Sequence, residues 1–319
     1  MPQLSNDLTG YAAGVATSAL WTVTSVIFTG ATRRLGPTVV NATRILSAVT
    51  LLAITFHLRT GDWVPDIRPW QVLLLAASGV IGLAIGDQAL FTAFVDIGPR
   101  LTMLLMTTSP LLAALFGWLA LGETLEPAAW LGILLTVGGV AWVVAERPAA
   151  GTGCARPHRL RGVILGVLAA AAQAGGLLLS KQGMGHGWLP REEHLDPQAA
   201  TLVRVFFAAL IMLPIVAARA RFEQPRQAVG GYPVRPASAR VGVLLSLAGG
   251  ALGLYLGVWL SLVAGDRVPL GIAQTLCSLS PVFILPVARV AYGERITWRA
   301  VVGALAAVAG VALLFLPLR

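Results

Sequence analysis

One acidic residue, Asp87, lies deep within a long apolar run that spans roughly residues 70–95. An ionisable side chain near the centre of a membrane helix costs at least about 2.5 kcal/mol unless it faces a cavity or has a partner. Two roles are therefore open for Asp87. It either exchanges a proton or binds a substrate amine, or it forms an ion pair with Arg44, which the helical rise places at a similar depth.

Uncharged polar and aromatic residues occur in the other apolar runs, where they could line a shared cavity. Amides and hydroxyls would orient a ligand, and aromatic rings would add apolar contact with little loss of side-chain freedom. Each of these residues alone more often bonds or packs between helices. Together they predict a binding site for a small amphiphile, formed with Asp87 by Gln88, Phe91, Gln173, Tyr255, Trp259, Gln274 and Ser278.

The other charged residues in or beside these runs are expected to be structural. Arg204 occupies a place that matches Arg44, and its long stem could carry the guanidinium to the lipid headgroups. Lys181 ends a run and is expected to anchor in the membrane interface. Glu123 and Glu294 end runs at turns, where we expect capping rather than substrate contact.

The chain as a whole is too apolar for a soluble protein. Its 319 residues are 56% hydrophobic and 12% charged, with a mean hydropathy of +0.78, whereas a soluble domain is about 25% charged. Its apolar runs approach the ~20 residues that a helix needs to cross a bilayer. These values exclude a cytosolic enzyme, a secreted disulfide-rich protein and a disordered chain, and they predict an all-α integral membrane protein.

Ten apolar runs can be distinguished, and we expect each to form a transmembrane helix. The net charge of +9 comes mostly from Arg residues in the loops, which indicates topology signals and lipid contacts rather than nucleic-acid binding. The sequence has no nucleotide-binding loop and no metal-ligand motif, so we expect neither a cofactor nor ATP-driven transport. The runs span 9–29, 37–57, 70–95, 99–121, 127–145, 162–181, 198–218, 241–264, 269–290 and 298–317.

The chain contains an internal repeat. Ser109-Pro110 precedes Gly122-Glu123 by the same interval at which Ser280-Pro281 precedes Gly293-Glu294. Five glycines recur at the same offset, so that Gly79, Gly82, Gly86, Gly132 and Gly139 match Gly250, Gly253, Gly257, Gly303 and Gly310. We therefore expect two five-helix halves, residues 1–145 and 162–319, joined by a polar linker at 146–161. Because five is odd, the second half should enter the membrane from the opposite side, as an inverted-topology repeat.

Some of the repeated positions are small or lack an amide proton, which indicates packing or hinge roles. Gly82-x-x-x-Gly86 and Gly253-x-x-x-Gly257 allow two helices to approach closely. Pro110 and Pro281 should weaken their helices at matched points, because proline has no backbone donor. Kinks there would act as hinges or shape the wall of a cavity.

Two such halves, with Arg44 or Arg204 early in the second helix and Ser-Pro and Gly-Glu in the fourth, resemble the drug/metabolite transporter superfamily, EamA type. Trp21 and Gly86-Asp87 are similar to further patterns of that family. The second half departs from them, since it has Gln173 and Val258 in place of Trp21 and Asp87.

The resemblance implies a central cavity lined by the first, third, fourth, sixth, eighth and ninth helices. This adds Trp21, Met103 and Thr107 to the candidate site. It also implies that the last helix of each half packs against its counterpart, with the repeated glycines of those helices at the seam.

The function implied is secondary active transport across the bacterial inner membrane, with export of small metabolites such as amino acids. The expected partners are the bilayer, a small-molecule substrate and protons as a candidate coupling ion, and we expect a monomer. An uptake carrier, a non-transporting scaffold and an enzyme acting on lipid-linked substrates are the alternatives. Such an enzyme would need clustered His, Asp or Glu near one interface, whereas the four His are scattered along the sequence. Loop charges place both termini outside, but the resemblance implies that they lie inside.

Overall fold

The fold is seen in a computed structural model that describes residues 2–97, 102, 105–145, 159–187, 193–222, 236–280, 282–283 and 298–314. Every regular element within these residues is helical. Met103 of the expected site, Pro281 of the expected hinge and Glu294 lie outside the described residues.

The helices follow the apolar runs and divide into two sets. The first set is α1 Pro2–Leu35, α2 Pro37–Thr60, α3 Pro69–Ser78, α4 Asp87–Asp96, α5 Ser109–Leu121 and α6 Pro127–Ala145. The second set is α7 Arg159–Gly183, α8 Pro197–Phe222, α9 Pro236–Gly249, α10 Trp259–Arg267, α11 Leu270–Cys277 and α12 Trp298–Leu314. Glycines in the left-handed conformation, Gly61 and Gly122, end α2 and α5.

Two π-helical segments interrupt otherwise continuous helices at matched places in the repeat. Gly79–Gly86 joins α3 to α4, and Gly250–Val258 joins α9 to α10. Each segment packs on the arginine-bearing helix of the other half, where glycine permits backbone contact. A Cβ atom at Gly79 would collide with the carbonyl oxygen of Arg204, and one at Gly250 would lie 2.6 Å from that of Arg44.

The first helix of each half packs against the third apolar run of the other half. Helix α1 packs against α9 and α10, whereas its counterpart α7 packs against α3 and α4. Other contacts join counterparts directly, since α2 packs against α8 and α6 packs against α12. This pattern is the one that a two-fold relation between the halves would produce.

The contact between α6 and α12 depends on two glycines. A Cβ atom at Gly139 would lie 2.5 Å from backbone atoms of Gly303 and Ala307. At the matching position, a Cβ atom at Gly310 would lie 2.5 Å from the backbone nitrogen of Thr136. The two backbones therefore touch at equivalent points on either side of the seam.

The described residues contain six helices that are long and apolar enough to cross a membrane, and three shorter apolar helices at 109–121, 127–142 and 301–313. The expected count of ten is not reached within them, because parts of 99–121, 269–290 and 298–317 lie outside the described residues. Ten helices in an inverted arrangement therefore stay a prediction.

Candidate functional site

Arg44 and Asp87 form a buried ion pair between α2 and the start of α4. Arg44 Nη2 contacts Asp87 Oδ2, and the two side chains are 8% and 11% exposed. Arg44 Nε also donates to Asn41 Oδ1 at 3.0 Å. The guanidinium carbon lies 4.9 Å from the ring centroid of Phe91 and 5.3 Å from that of Phe28, so two aromatic faces add cation–π attraction. Of the two roles open for Asp87, this geometry fits the ion pair.

Arg204, the counterpart of Arg44, does not reach the lipid headgroups as expected. Its side chain lies inside the protein and the residue is 3% exposed. The reason is the close packing of α8. The backbone of Arg204 contacts Gly79, and its guanidinium lies over two further glycines. A Cβ atom at Gly82 or Gly176 would lie 2.7 or 3.1 Å from Arg204 Nη2. Arg204 Nε is buried without a hydrogen-bond partner.

A narrow cavity lies beside Arg204, between the two halves of the molecule. The space left for the centre of a water-sized molecule is about 10 Å³, enough for about one water, so the cavity is nearly closed in this conformation. Its lining is formed by Trp21, Leu83, Gln173, Leu177, Arg204, Val258, Ser261 and Gln274. Val258, which replaces Asp87 in the repeat, is thus in the same cavity wall as Arg204.

Three residues of the expected site line this cavity, namely Trp21, Gln173 and Gln274. Arg204 and Ser261 line it too, although neither was predicted from the sequence as a site residue. The available signal for Arg204 was its match to Arg44 in a half that lacks the matching carboxylate. Ser261 donates to the carbonyl of Val258 at 2.7 Å and had no distinguishing sequence signal.

The other described residues of the expected site do not line this cavity. Gln88 Nε2 donates to Thr38 Oγ1 at 3.3 Å, and the Tyr255 and Trp259 rings lie 6.2 Å apart. Thr107 is buried in a turn before α5, and Ser278 donates to the carbonyl of Gln274 at 2.8 Å.

The fourth and ninth apolar runs are each broken at a matched turn. The first turn lies at 107–108, before α5, and the second at 278–279, after α11. Pro110 is in the first turn of α5, where its missing donor is tolerated, rather than at a kink inside a longer helix. Gln274 Nε2 donates to Ser109 Oγ at 3.1 Å, so a cavity residue connects the two breaks.

Comparison with known proteins identifies the family. The sequence model of the EamA-like transporter family matches residues 8–145 and 160–316. The chain belongs to the EamA-like transporter family. This confirms the resemblance to the drug/metabolite transporter superfamily and makes the chain a multi-pass membrane protein, from a family of transporters rather than enzymes.

A solved crystal structure has the same fold as this EamA-like transporter. The two are 22% identical over 97% of each chain, with a TM-score of 0.72. No curated protein sequence matches the chain significantly.

A buried charged pair joins helix ends in this EamA-like transporter, and it corrects the expectation for Lys181. The residue is 5% exposed and does not anchor in the interface. Its Nζ lies 2.5 Å from Glu123 Oε1 and donates to the carbonyl of Val268 at 2.7 Å. Glu123 Oε2 accepts from the backbone nitrogen of Leu270 at 2.7 Å. Glu123 thus caps the start of α11, and the pair fastens α5 and α7 to that helix.

Two of the histidines that are scattered in the sequence meet at one carboxylate. His186 Nε2 and His194 Nε2 each lie 2.7 Å from Asp266 Oδ1. These three residue types also occur in metal sites, and their ligand atoms lie within 4.8 Å of one another. That oxygen already accepts hydrogen bonds from both rings, and the bond that His194 donates to Asp266 raises the pKa of His194. We interpret the group as structural, because its hydrogen bonds hold both ends of the segment between α7 and α8 against α10.

Proposed function

We propose that this EamA-like transporter is a secondary carrier of the bacterial inner membrane that exports small metabolites, such as amino acids, by alternating access. The observation that carries the proposal is the cavity between the two halves. Helix α1 and the first π-helical segment supply one side of it, and α7, α8, the second π-helical segment, α10 and α11 supply the other. A site shared in this way changes its exposure when the halves rock, which is the motion that alternating access requires.

The packing of the first helix of each half against the other half supports an inverted repeat of residues 1–145 and 162–319 with 146–161 as linker. We also propose that the carrier acts as a monomer. Protons are the candidate coupling ion. Because Asp87 is bonded to Arg44 and lies outside the cavity lining, coupling through Asp87 would require that pair to open during transport.

The test is counterflow in proteoliposomes with a panel of labelled amino acids, run with and without a pH gradient. We expect the wild type to exchange part of the panel and Gln274→Ala to slow that exchange about 2- to 10-fold, because a lost hydrogen bond is worth roughly 0.5–1.5 kcal/mol. Gln88→Ala is the matched control, since Gln88 lies outside the cavity lining and the change should leave the rate near that of the wild type.

Two results would contradict the proposal. One is a folded wild type that exchanges no member of the panel in either direction. The other is an equal loss in Gln274→Ala and Gln88→Ala, which would show that the cavity between the halves is not where the substrate passes. If net uptake is faster than export in oriented vesicles, the protein is still a carrier, but its direction is import.

A further inference from the structure

The two matched arginines differ in whether the protein supplies a carboxylate. Arg44 has Asp87 as its partner. Arg204 lies at the matching place, but the residue that corresponds to Asp87 is Val258, which lines the cavity with Arg204. Among the described residues, no carboxylate contacts Arg204. The second half therefore has the cation of the pair without its anion.

The position of Arg204 leaves its charge uncompensated. Asp87 is within electrostatic reach of Arg204, but its carboxylate is bonded to Arg44. Two arginines and one aspartate leave one positive charge, held in a site where water is largely excluded. A buried charge without a partner is expensive, so this arrangement favours an anion that enters from the cavity.

The side chains around Arg204 have the chemistry to bind a small amphiphilic anion, which can enter once the halves move apart and widen the cavity. Gln173, Gln274 and Ser261 bring polar groups to the cavity, and Trp21 and Leu83 bring apolar surface. A guanidinium presents a planar fork of donors that matches a carboxylate, and one of these donors, Nε, has no partner within the protein. We propose that Arg204 binds the carboxylate of the transported molecule and that the carrier selects carboxylate-bearing metabolites over analogues in which an amide replaces the carboxylate.

This inference rests on the proposed carrier function and assigns its substrate class. The substrate's carboxylate takes the place that Asp87 has beside Arg44. Binding forms one charge-assisted contact and breaks no covalent bond, so the site can release the molecule when the cavity opens to the other side. The apolar part of the substrate then lies against Trp21.

The experiment compares acids with their amides. L-leucine and L-leucinamide, and phenylacetate and phenylacetamide, are added at millimolar concentration to the purified protein, and thermal stabilisation and competition in counterflow are measured. The wild type should be stabilised by the acids more than by the amides. Arg204→Gln should weaken acid binding about 10- to 100-fold, as expected for loss of a hydrogen bond to a charged group, and Arg204→Lys should retain part of it.

A melting curve separates this role from a structural one. Arg204→Gln removes an unpaired buried charge, so its melting temperature should equal or exceed that of the wild type. Arg44→Gln, the matched control, should lower it by stranding Asp87. Acids and amides that bind equally, or an Arg204→Gln protein that still prefers acids as the wild type does, would overturn the assignment. If the wild-type protein exchanges amides as fast as acids, the carrier function stands and the substrate assignment fails. If the wild-type protein shows no counterflow at all, both proposals fail.

Discussion

Asp87→Asn should destabilise the protein by about 3–5 kcal/mol, the loss typical of a buried ion pair from which one partner is removed. The change leaves Arg44 buried without a counterion and removes the negative charge of Asp87 that acts on Arg204. Thermal and denaturant unfolding in detergent would measure the loss. The double variant with Arg44→Gln should recover part of it, because the stranded cation is then gone.

A more exposed ion pair provides the control for Asp87→Asn. Glu193 pairs with Arg68 at 3.0 Å, and the Arg68 and Glu193 side chains are 65% and 31% exposed. Glu193 also accepts from Trp70 Nε1, a bond that the amide oxygen of glutamine can still accept. Exposed pairs contribute about 0–1 kcal/mol, so Glu193→Gln should have little effect on unfolding. An Asp87→Asn variant as stable as the wild type would mean that the ion pair contributes nothing to the stability of the fold.

Gly139→Ala should destabilise the seam by about 1–3 kcal/mol, because a new methyl group at a filled contact forces the packing apart. The atoms in its way belong to the backbone of α12, which cannot move aside as a side chain would. The two helices would have to separate along their length. Unfolding in detergent would report the loss, and transport should fall with it if the seam guides the motion of the halves.

The neighbouring glycine is a matched control for the seam. A Cβ atom at Gly138 meets nothing within 4 Å, so Gly138→Ala should be neutral or slightly stabilising, since alanine favours helix over glycine. Gly310→Ala should behave as Gly139→Ala does, because it opposes the same seam from the other half. Equal effects at Gly138 and Gly139 would contradict the close contact of α6 with α12.

Features that depend on composition and repetition could be predicted from the sequence. The membrane class and the family follow from apolar runs and from motifs that recur in register. The pairing of Arg44 with Asp87 was one of two open roles because depth along a helix can be counted. Depth does not reveal rotation about the helix axis, and a uniformly apolar helix carries little amphipathic signal. The inward direction of Arg204 could therefore not be read from α8 alone.

Contacts between distant segments could not be predicted from the sequence either. Asp266 is separated from His194 by 72 residues, and nothing local to either residue indicates the other. Lys181 looked like an interface anchor because it ends an apolar run, but its partner Glu123 comes from another helix end. Ser261 resembles any serine within a helix, and only the packing of the two halves brings it to the cavity.

The central claim, that the cavity between the halves opens to each side of the membrane in turn, is tested most directly by labelling Ser261→Cys. The native residues Cys154 and Cys277 are first replaced by serine, and a membrane-impermeant anionic thiosulfonate is applied to right-side-out and to inverted vesicles. Ser246→Cys is the control, because Ser246 is fully buried and does not line the cavity. We predict that Ser261→Cys reacts from both sides and is protected by transported substrate, while Ser246→Cys reacts from neither. Reaction of Ser261→Cys from one side only, in a protein that still transports, would contradict the account.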